Sequence, residues 1–401
     1  MEYNYSERMA NMNGSATREI LKLLTRPEIV SFAGGFPATV CLPRKEIQEI
    51  TNDLLSEGCA SATDALQYGT TEGFVPFRQE LIKYVKSAGI ENVSLDQTLV
   101  LSGGQQGIDL MSKVFLNKGD VVLVENPTYL AALQIFASYQ AKVIGVNSDD
   151  NGLDIEDLEK KIIQYKPKFL YCVPTFSNPT GKVYSVANRK AIASVTAKHG
   201  VMVLEDDPYS KLRFEGEAVP SIKSFDTNDN VVYVTSFSKV CSGGLRVAVA
   251  VGPTEVIRKL TIGKQGADVS TSNLSQLIVY EYLKRGYLFP NIEKSLPIYR
   301  ERKNAMIDAI KKYMPEEYSY VNAEGGLFIW GGFNVPINTT TLAAEAVKHD
   351  VAYIQGQVFY PADDVTNMLR LNFSNATVDR IDSGMHRLGD MFKAEIAKLK
   401  K

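Results

Sequence analysis

The middle of the chain alternates short runs of β-branched and aliphatic residues with longer stretches typical of helices. The runs are Thr98–Leu101, Val121–Glu125, Lys142–Val146, Lys168–Val173, Val201–Glu205, Val231–Thr235 and Val247–Gly252. Helices are predicted between them at Gln105–Leu116, Tyr129–Tyr139, Ile155–Gln164 and Val186–His199. Strands buried on both faces read as continuous Val/Ile/Leu runs, as these do. The pattern therefore predicts an α/β fold in which helices sandwich a large, mostly parallel seven-stranded sheet.

The character of the chain changes after about residue 290. A long helical stretch, Ile292–Tyr313, leads to predicted strands near Gly326–Gly332, Val351–Ile354 and Leu369–Phe373, and a last helix starts near Thr377. We expect residues 46–289 to form the large domain and residues 290–401 a smaller α+β domain. Residues 1–45 are expected to pack with the small domain and the functional site.

Charge and cysteine usage limit the possible partners and the compartment. The 401-residue chain has a formal net charge of −2, which gives no electrostatic reason to expect a nucleic acid or a membrane surface as partner. No apolar run approaches the roughly 20 residues that span a bilayer. The start of the chain lacks the basic and apolar regions of a signal peptide. The four cysteines are scattered, which predicts reduced thiols in a cytoplasmic protein and no disulfides. The three histidines are equally dispersed, so no metal site is expected.

Polar residues of five different chemistries follow the predicted strands of the large sheet. Ser102–Gln105, Tyr129, Asn178, Asp206 and Lys239 each come after an apolar run. In open α/β sheets, ligands collect at the carboxyl ends of the strands. Chance could place one or two polar residues there, but five on one edge predict a single site.

Lys239 is the most unusual of these residues. It lies between two strand-like runs, follows Ser236 and Ser238, and precedes Arg246 by seven residues. An amine that is held still, partly desolvated and close to a bound anion is suited to forming a Schiff base. Arg246 and the two serines offer donors for a dianion.

Ser102-Gly-Gly-Gln-Gln-Gly allows close backbone approach and opens a predicted helix, which suits a phosphate group. Taken alone, the motif is better explained as a tight strand-to-helix turn, since glycine-rich turns are common. The glycines have neither Walker-A spacing nor the dinucleotide-binding pattern, so a nucleotide is disfavoured.

Asp206 ends a very apolar run and could hold a pyridine nitrogen protonated, although a helix cap or a solvated strand end would also explain an acid there. Tyr209 could reach the same ring, and the Asn178 amide could donate to a phenolate oxygen. Asn178-Pro-Thr-Gly is, however, a good turn by itself. Tyr129 could stack on a flat cofactor or simply belong to the core.

Together these segments resemble a known family. The motifs are Ser-x-Ser-Lys at 236–239 with Arg246, Asn-Pro-Thr-Gly at 178–181, Glu-Asp-Asp-Pro-Tyr at 205–209 and Ser-Gly-Gly-Gln-Gln at 102–106. In this order they resemble fold-type I pyridoxal-phosphate aminotransferases of class I/II. The segments at 15–21, 31–37 and 66–69 are similar to the branch that contains 2-aminoadipate and kynurenine aminotransferases. The resemblance runs from about Asn13 to Thr377.

The resemblance implies a role for each candidate residue. Lys239 would carry the Schiff base with pyridoxal 5′-phosphate and shuttle a proton, Asp206 would pair with the pyridinium nitrogen, and Tyr129 would stack on the ring. The other implied cofactor contacts are Gly103, Gly104, Gln105, Asn178, Tyr209, Ser236, Ser238, Arg246 and Tyr68. The implied substrate contacts are Arg370 for the α-carboxylate, Gly35, Asn178 and Arg18. Tyr68 and the Ser272-Asn273 stretch match positions that serve the partner subunit's site, so a homodimer is implied.

Two departures from the family pattern stand beside the implied phosphate site. Cys241-Ser-Gly-Gly replaces the usual Ala-Pro-Gly before Leu245-Arg246, and Gly104 stands where a serine is frequent. We expect cofactor binding to survive both changes and to be weaker than in serine-bearing relatives. Arg18 could pair with the distal carboxylate of 2-aminoadipate or glutamate, or merely bracket the surface.

The predicted function is that of an amino-acid:2-oxo-acid aminotransferase, with glutamate and 2-oxoglutarate as one substrate pair by family habit. Aromatic amino acids and 2-aminoadipate are the candidate donors. Another reaction on the same scaffold, such as β-elimination or decarboxylation, is an alternative that sequence separates poorly. A non-catalytic sensor domain is a more distant alternative, because the first hundred or so residues lack a basic helix-turn-helix.

Overall fold

The computed structural model of the protein describes residues 3–10, 12, 26–362 and 364–400. A short strand, β1 (Val30–Ser31), precedes the strands of the largest sheet. These are β2 (Thr98–Leu101), β3 (Val121–Glu125), β4 (Lys142–Val146), β5 (Phe169–Cys172), β6 (Met202–Asp207), β7 (Val231–Ser236) and β8 (Ala248–Val251). The apolar runs of the sequence thus form the strands that they predict.

The order of strands in the largest sheet is β2-β8-β7-β6-β5-β3-β4. Strands β3, β4, β5, β6 and β7 are parallel to one another. Strand β8 runs antiparallel to both of its neighbours, β2 and β7. The predicted α/β fold with a mostly parallel seven-stranded sheet is confirmed. Several strand bounds differ by one or two residues, and one difference concerns the site: β6 continues through Asp206 and Asp207, which are buried and paired with β7, so Asp206 lies inside the strand and not after it.

Helices cover the sheet and connect its strands. Their bounds are Glu7–Ala10, Arg44–Leu55, Ala62–Leu66, Val75–Val85, Gly104–Phe115, Leu130–Ser138, Ile155–Tyr165, Val186–Lys198, Thr254–Gln265, Asn273–Lys284, Leu288–Tyr313, Thr339–Lys348 and Val378–Leu399. Local chemistry fixes several of these starts. Asp154 and Ser185, for example, accept hydrogen bonds from the amides of Asp157 and Asn188 at the first turn of their helices. No helix in the described ranges is both long and apolar enough to cross a membrane.

A second, smaller sheet lies in the last third of the chain. Its strands are β9 (Tyr318–Tyr320), β10 (Phe328–Phe333), β12 (Ile354–Gln355) and β13 (Met368–Asn372), and between them lies β11 (Val351–Ala352). The four pair antiparallel in the order β12-β13-β10-β9. β11 pairs with β1, so the N-terminal segment is hydrogen-bonded to this part of the chain. The division at residues 45/46 and 289/290 stays a prediction.

Candidate active site

A cavity of about 290 Å³ lies where the carboxyl ends of the parallel strands meet the smaller sheet. It is lined by twelve residues that the sequence singled out, namely Gly35, Gly104, Gln105, Tyr129, Asn178, Asp206, Tyr209, Ser236, Ser238, Lys239, Arg246 and Arg370. These residues come from segments more than 300 positions apart in the chain, and the fold brings them around one space.

Groups that could bind an anion converge at one end of the cavity. Gly104 and Gln105 begin the helix Gly104–Phe115, whose N-terminus favours negative charge. The Ser236 hydroxyl donates to the Ser238 hydroxyl (2.9 Å) and accepts from the Ser238 amide (3.1 Å). Arg246 Nη1 lies 3.3 Å from the Ser238 hydroxyl oxygen. Two hydroxyls, a guanidinium and a helix N-terminus therefore converge.

Gly103 sits where the backbone must pass close to this guanidinium. Its φ of +90° is in the region that favours glycine, and a Cβ at this position would lie 2.0 Å from Arg246 Nη2. Gly103 does not itself line the cavity. Its contribution is to let Arg246 approach the start of the helix.

A partly buried network of hydrogen bonds holds the same loop from the side away from the cavity lining. The Asp268 carboxylate accepts hydrogen bonds from the Ser102 hydroxyl (2.6 Å), Gln106 Nε2 (2.8 Å) and Lys264 Nζ (2.7 Å to each oxygen). Lys264 is fully buried and also donates to Gln106 Oε1 (2.9 Å). Asp268 and Lys264 were not found from the sequence, because Ser102 and Gln106, the loop residues that they hold, lie about 160 positions away in the chain.

Asp206 places a carboxylate beside the middle of the cavity. Only 6% of the residue is exposed, and Oδ2 accepts a hydrogen bond from the Tyr171 hydroxyl at 2.9 Å. Burial raises the pKa of Asp206 to about 7, an effect that the Tyr171 hydrogen bond opposes and Asp207 reinforces. A cationic partner inside the cavity would strongly stabilise the ionised form of this carboxyl group.

Lys239 lies in a π-helical turn, Ser238–Ser242, that directly follows β7. Its Nζ donates to the Gly35 carbonyl at 2.7 Å, so the N-terminal segment fixes the amine in place. Burial lowers the pKa of Lys239 to about 8, with repulsion from Arg246 and Arg370 adding to the effect. A lysine in this state supplies a neutral amine near neutral pH.

Arg370 belongs to β13 and lines the cavity. Its Nη1 donates to Asn178 Oδ1 (2.6 Å) and its Nη2 to the Ala33 carbonyl (2.5 Å). The guanidinium stacks at 4.1 Å from the centre of the Phe328 ring. Nε is buried and has no hydrogen-bond partner among the described residues. Burial lowers the pKa of Arg370 to about 10, and an incoming anion would satisfy both the charge and the unpaired donor.

Two further predicted contacts are not among the described residues that line the cavity. Tyr68 is 83% exposed and does not line the cavity, and Arg18 lies outside the described residues. Sequence analysis missed the apolar lining formed by Phe36, Leu130 and Phe328. Phe36 and Leu130 directly follow predicted site residues, which is a signal that could have drawn attention to them.

Comparisons with known proteins identify the family. The model of the family "Aminotransferase class I and II" matches residues 38–388. An aromatic-amino-acid aminotransferase of Thermococcus litoralis is 37% identical over 99% of this chain and 96% of its own length. The chain belongs to the class I and II aminotransferases.

Solved structures support the same assignment. The kynurenine aminotransferase of Pyrococcus horikoshii, in complex with PMP, superposes with a TM-score of 0.92 at 38% identity, covering 98% of this chain and 97% of its own. An α-aminoadipate aminotransferase of Thermus thermophilus, complexed with N-(5′-phosphopyridoxyl)-L-leucine, gives 0.91 at 34% identity and covers 98% of each chain. The protein is thus an aminotransferase, and its cofactor is pyridoxal 5′-phosphate. The resemblance seen in the sequence is confirmed.

The cavity of this aminotransferase fits that cofactor chemically. It offers an anion-binding end for a phosphate, a buried carboxylate at Asp206 for a pyridinium nitrogen, and a desolvated amine at Lys239 for an aldehyde. Asp206 and Lys239 each have a pKa displaced toward neutrality by burial, which the matching charges of a bound group would relieve.

The turn at Cys241-Ser-Gly, where the chain departs from the family pattern, is held in place by hydrogen bonds from Asn291. Cys241 is buried, and Asn291 Nδ2 donates to the carbonyls of Val240 (3.4 Å) and Cys41 (3.2 Å). The turn is therefore tied both to the helix Leu288–Tyr313 and to the N-terminal segment. Arg246, beyond the turn, still lines the cavity.

Proposed function

We propose a division of labour among the cavity residues of this aminotransferase. Lys239 would be the amine that holds the cofactor covalently, and Asp206 would pair with its pyridine nitrogen. Tyr129 covers the ring, while Asn178 and Tyr209 hold its phenolic oxygen. The phosphate is held by Gly104, Gln105, Ser236, Ser238 and Arg246, with Gly103 shaping the loop. What supports this proposal is that one cavity brings these groups together.

We propose that Arg370 fixes the α-carboxylate of both substrates. Arg370 lines the cavity, its guanidinium stacks on Phe328, and its Nε has no hydrogen-bond partner among the described residues. The carboxylate would supply the negative charge and the hydrogen-bond acceptor that the buried guanidinium of Arg370 lacks. Gly35, whose carbonyl holds Lys239, lies on the same side and would contact the substrate.

Proton transfer is assigned to Lys239. When bound, pyridoxal phosphate supplies an electron-withdrawing ring that stabilises negative charge developing at the substrate Cα. Lys239 would remove the Cα proton as a neutral amine and later donate it back, and its burial, which lowers its pKa, favours the neutral form that this step needs. Asp206, kept anionic by a cationic ring nitrogen, preserves the electron demand of the ring.

The apolar lining favours an aromatic amino donor. Phe36, Leu130 and Phe328 present apolar surface within the cavity, and Phe36 is 40% exposed at its rim. The cationic side chains among the described lining residues are Lys239, Arg246 and Arg370, and each already has a role. The described lining therefore offers contact area to an aromatic side chain and no further cation to a distal carboxylate.

A dicarboxylic partner such as 2-oxoglutarate or 2-aminoadipate needs an additional cation. Arg18 remains our proposal for it, on the sequence alone. Arg18→Ala would then raise KM for 2-oxoglutarate and leave KM for aromatic donors nearly unchanged. A ratio of acidic to aromatic substrate efficiencies that does not change in Arg18→Ala would contradict this role.

The substrate proposal is tested with a donor-by-acceptor panel on the purified holoenzyme. We expect phenylalanine, tyrosine and kynurenine to give the highest kcat/KM with 2-oxoglutarate as acceptor. In a half-reaction without acceptor, one equivalent of 2-oxo acid should form per cofactor as its yellow absorbance is lost. A higher kcat/KM for dicarboxylic donors than for aromatic ones would contradict the proposal.

We also propose that two copies of the chain assemble into a homodimer with shared sites. Tyr68 and Leu66 are 83% and 73% exposed, and Asn273 Nδ2 donates to the carbonyls of Asp64 and Gln67 beside them. Large exposed side chains on one ordered segment are typical of an interface. Sedimentation of the holoenzyme should give a dimer mass, and a monomer at micromolar concentration would contradict it.

A cytoplasmic location remains a proposal, supported by four unpaired cysteines.

A further inference from the structure

Glu125 ends β3 as a buried carboxyl group that the proposed chemistry does not use. Only 3% of the residue is exposed, and it does not line the cavity. Burial raises its pKa to about 8, which the hydrogen bonds from Tyr184, Ser177 and Val173 oppose and Asp206 reinforces. A carboxyl group that is buried at this cost needs a structural or functional reason.

The three hydrogen bonds of Glu125 reach different parts of one loop. Oε1 accepts from the Val173 amide (3.1 Å) and from the Ser177 hydroxyl (3.0 Å). Oε2 accepts from the Tyr184 hydroxyl (2.7 Å). Val173 precedes the loop 174–184, Tyr184 ends it and Ser177 lies within it. One carboxyl group thus ties together the start, the middle and the end of this loop.

The loop carries Asn178, the neighbour of Ser177. Its turn is closed by the Gly181 amide, which donates to the Ser177 carbonyl at 2.7 Å. Asn178 Oδ1 accepts from Arg370 Nη1 at 2.6 Å. A shift of the Ser177 backbone would therefore move both the amide that faces the cofactor and the acceptor that orients Arg370.

We propose that Glu125 is a positioning residue: through Ser177 and Tyr184 it sets the conformation of the Asn178 loop, and through Asn178 it orients Arg370. This inference rests on the proposed role of Asn178 in the site. It assigns Glu125 no contact with the substrate or the cofactor.

Conservative and non-conservative variants separate the hydrogen bonds from the charge. In Glu125→Gln, the amide oxygen still accepts from Val173 and Ser177, and the Tyr184 hydroxyl can reverse to accept from the amide nitrogen. Glu125→Ala removes all three bonds. Ser177→Ala removes a single bond to the loop and serves if Glu125→Ala does not fold.

Glu205→Gln is the matched control. Glu205 is fully buried on the neighbouring strand β6, and it accepts from the amides of Ile222 and Lys223 at 2.8 Å each. Burial raises its pKa to about 7, so it resembles Glu125 in environment. Its amide bonds lead away from the cavity, and Arg189, 3.9 Å from it, has its own hydrogen bonds to the loop carbonyls of Pro174 and Tyr184, which Glu205→Gln leaves in place. Glu205→Gln should therefore affect stability without changing substrate binding.

Steady-state kinetics, the cofactor dissociation constant and the pH titration of the cofactor's visible absorbance are measured for each variant. For Glu125→Ala we expect KM for the amino donor to rise about tenfold, the effect of weakening about one hydrogen bond in the site. The midpoint of its absorbance titration should shift in the same direction as in Asn178→Ala. Glu125→Gln should stay within about threefold of the parent KM, and Glu205→Gln should change only the Tm.

A double variant separates this inference from the function on which it rests. If Glu125 acts through Asn178, Glu125→Ala should add little to the KM change of Asn178→Ala. A folded Glu125→Ala enzyme with unchanged KM and absorbance midpoint would overturn the positioning role, as would a Glu125→Gln enzyme as impaired as Glu125→Ala. If Asn178→Ala itself leaves both quantities unchanged, the proposed role of Asn178 is the part that fails.

Discussion

Tyr171→Phe isolates the group that controls the charge of Asp206. Tyr171 is fully buried in β5, and its hydroxyl donates to Asp206 Oδ2 at 2.9 Å. The ring also packs edge-on against Phe136, with centroids 5.7 Å apart. Phenylalanine keeps this packing and removes only the hydroxyl, so the perturbation acts on the carboxyl group.

The size of the effect follows from the burial of this pair. A hydrogen bond to a charged group contributes about 1.5–3 kcal/mol, and one pKa unit corresponds to about 1.4 kcal/mol. Losing the bond should therefore raise the pKa of Asp206 from about 7 by roughly one to two units. The empty variant then keeps Asp206 protonated at neutral pH, and the cofactor must displace that proton to pair with the anion.

The assay is the dissociation constant of pyridoxal phosphate for the apoenzyme as a function of pH. We expect binding at pH 7 to weaken about tenfold in Tyr171→Phe and to recover toward the parent value near about pH 9, where Asp206 is again ionised. The matched control is Tyr233→Phe, because Tyr233 is equally buried and donates to Asp207 at 2.8 Å, outside the cavity lining. An unchanged pH profile in Tyr171→Phe, or the same change in Tyr233→Phe, would refute the reasoning.

Three other predictions concern the remaining parts of the site. Arg370→Lys keeps the charge but loses the planar fork, so steady-state KM should rise about tenfold or more for donor and acceptor alike; a change for one substrate alone would contradict a shared carboxylate site. Because the neutral amine of Lys239 attacks the aldehyde and its pKa is about 8, stopped-flow incorporation of cofactor into apoenzyme should accelerate about tenfold between about pH 7 and pH 9, and a flat profile would contradict this. Gly104→Ser should tighten cofactor binding in equilibrium titrations, because the added Cβ would have no neighbour closer than 3.8 Å. Gly103→Ala should weaken cofactor binding, because its Cβ would lie 2.0 Å from Arg246 Nη2. Equal effects of the two variants would contradict the roles given to these glycines.

The strands of the large sheet could be predicted because both of their faces are buried. The run Val121–Glu125 has the same bounds in the structure as in the sequence prediction. The run at 201–205 was cut short at its carboxyl end, because Asp206 and Asp207 look like solvated residues until their buried partners Tyr171 and Tyr233 are known. Periodicity carries no information on such long-range pairing.

The rim of the site could be predicted for a related reason: its polar residues follow apolar strands in the sequence. What supports the rim could not be predicted. Asp268 and Glu125 look like ordinary charged residues in the sequence, and only the fold shows that they anchor the loops at 102–106 and 174–184. The apolar lining from Phe328 was missed because β10 reads as core on both faces. The roles of Asp268, Glu125 and Phe328 thus depend on tertiary contacts, which the local sequence does not reveal.

The central claim is that Lys239 is the residue that binds the cofactor covalently. Borohydride reduction of the holoenzyme, followed by proteolysis and mass spectrometry, tests it directly. We expect one phosphopyridoxyl group per chain, on the peptide that contains Lys239, and none in Lys239→Ala. A label on any other lysine, or a reduced protein that carries no label, would contradict it.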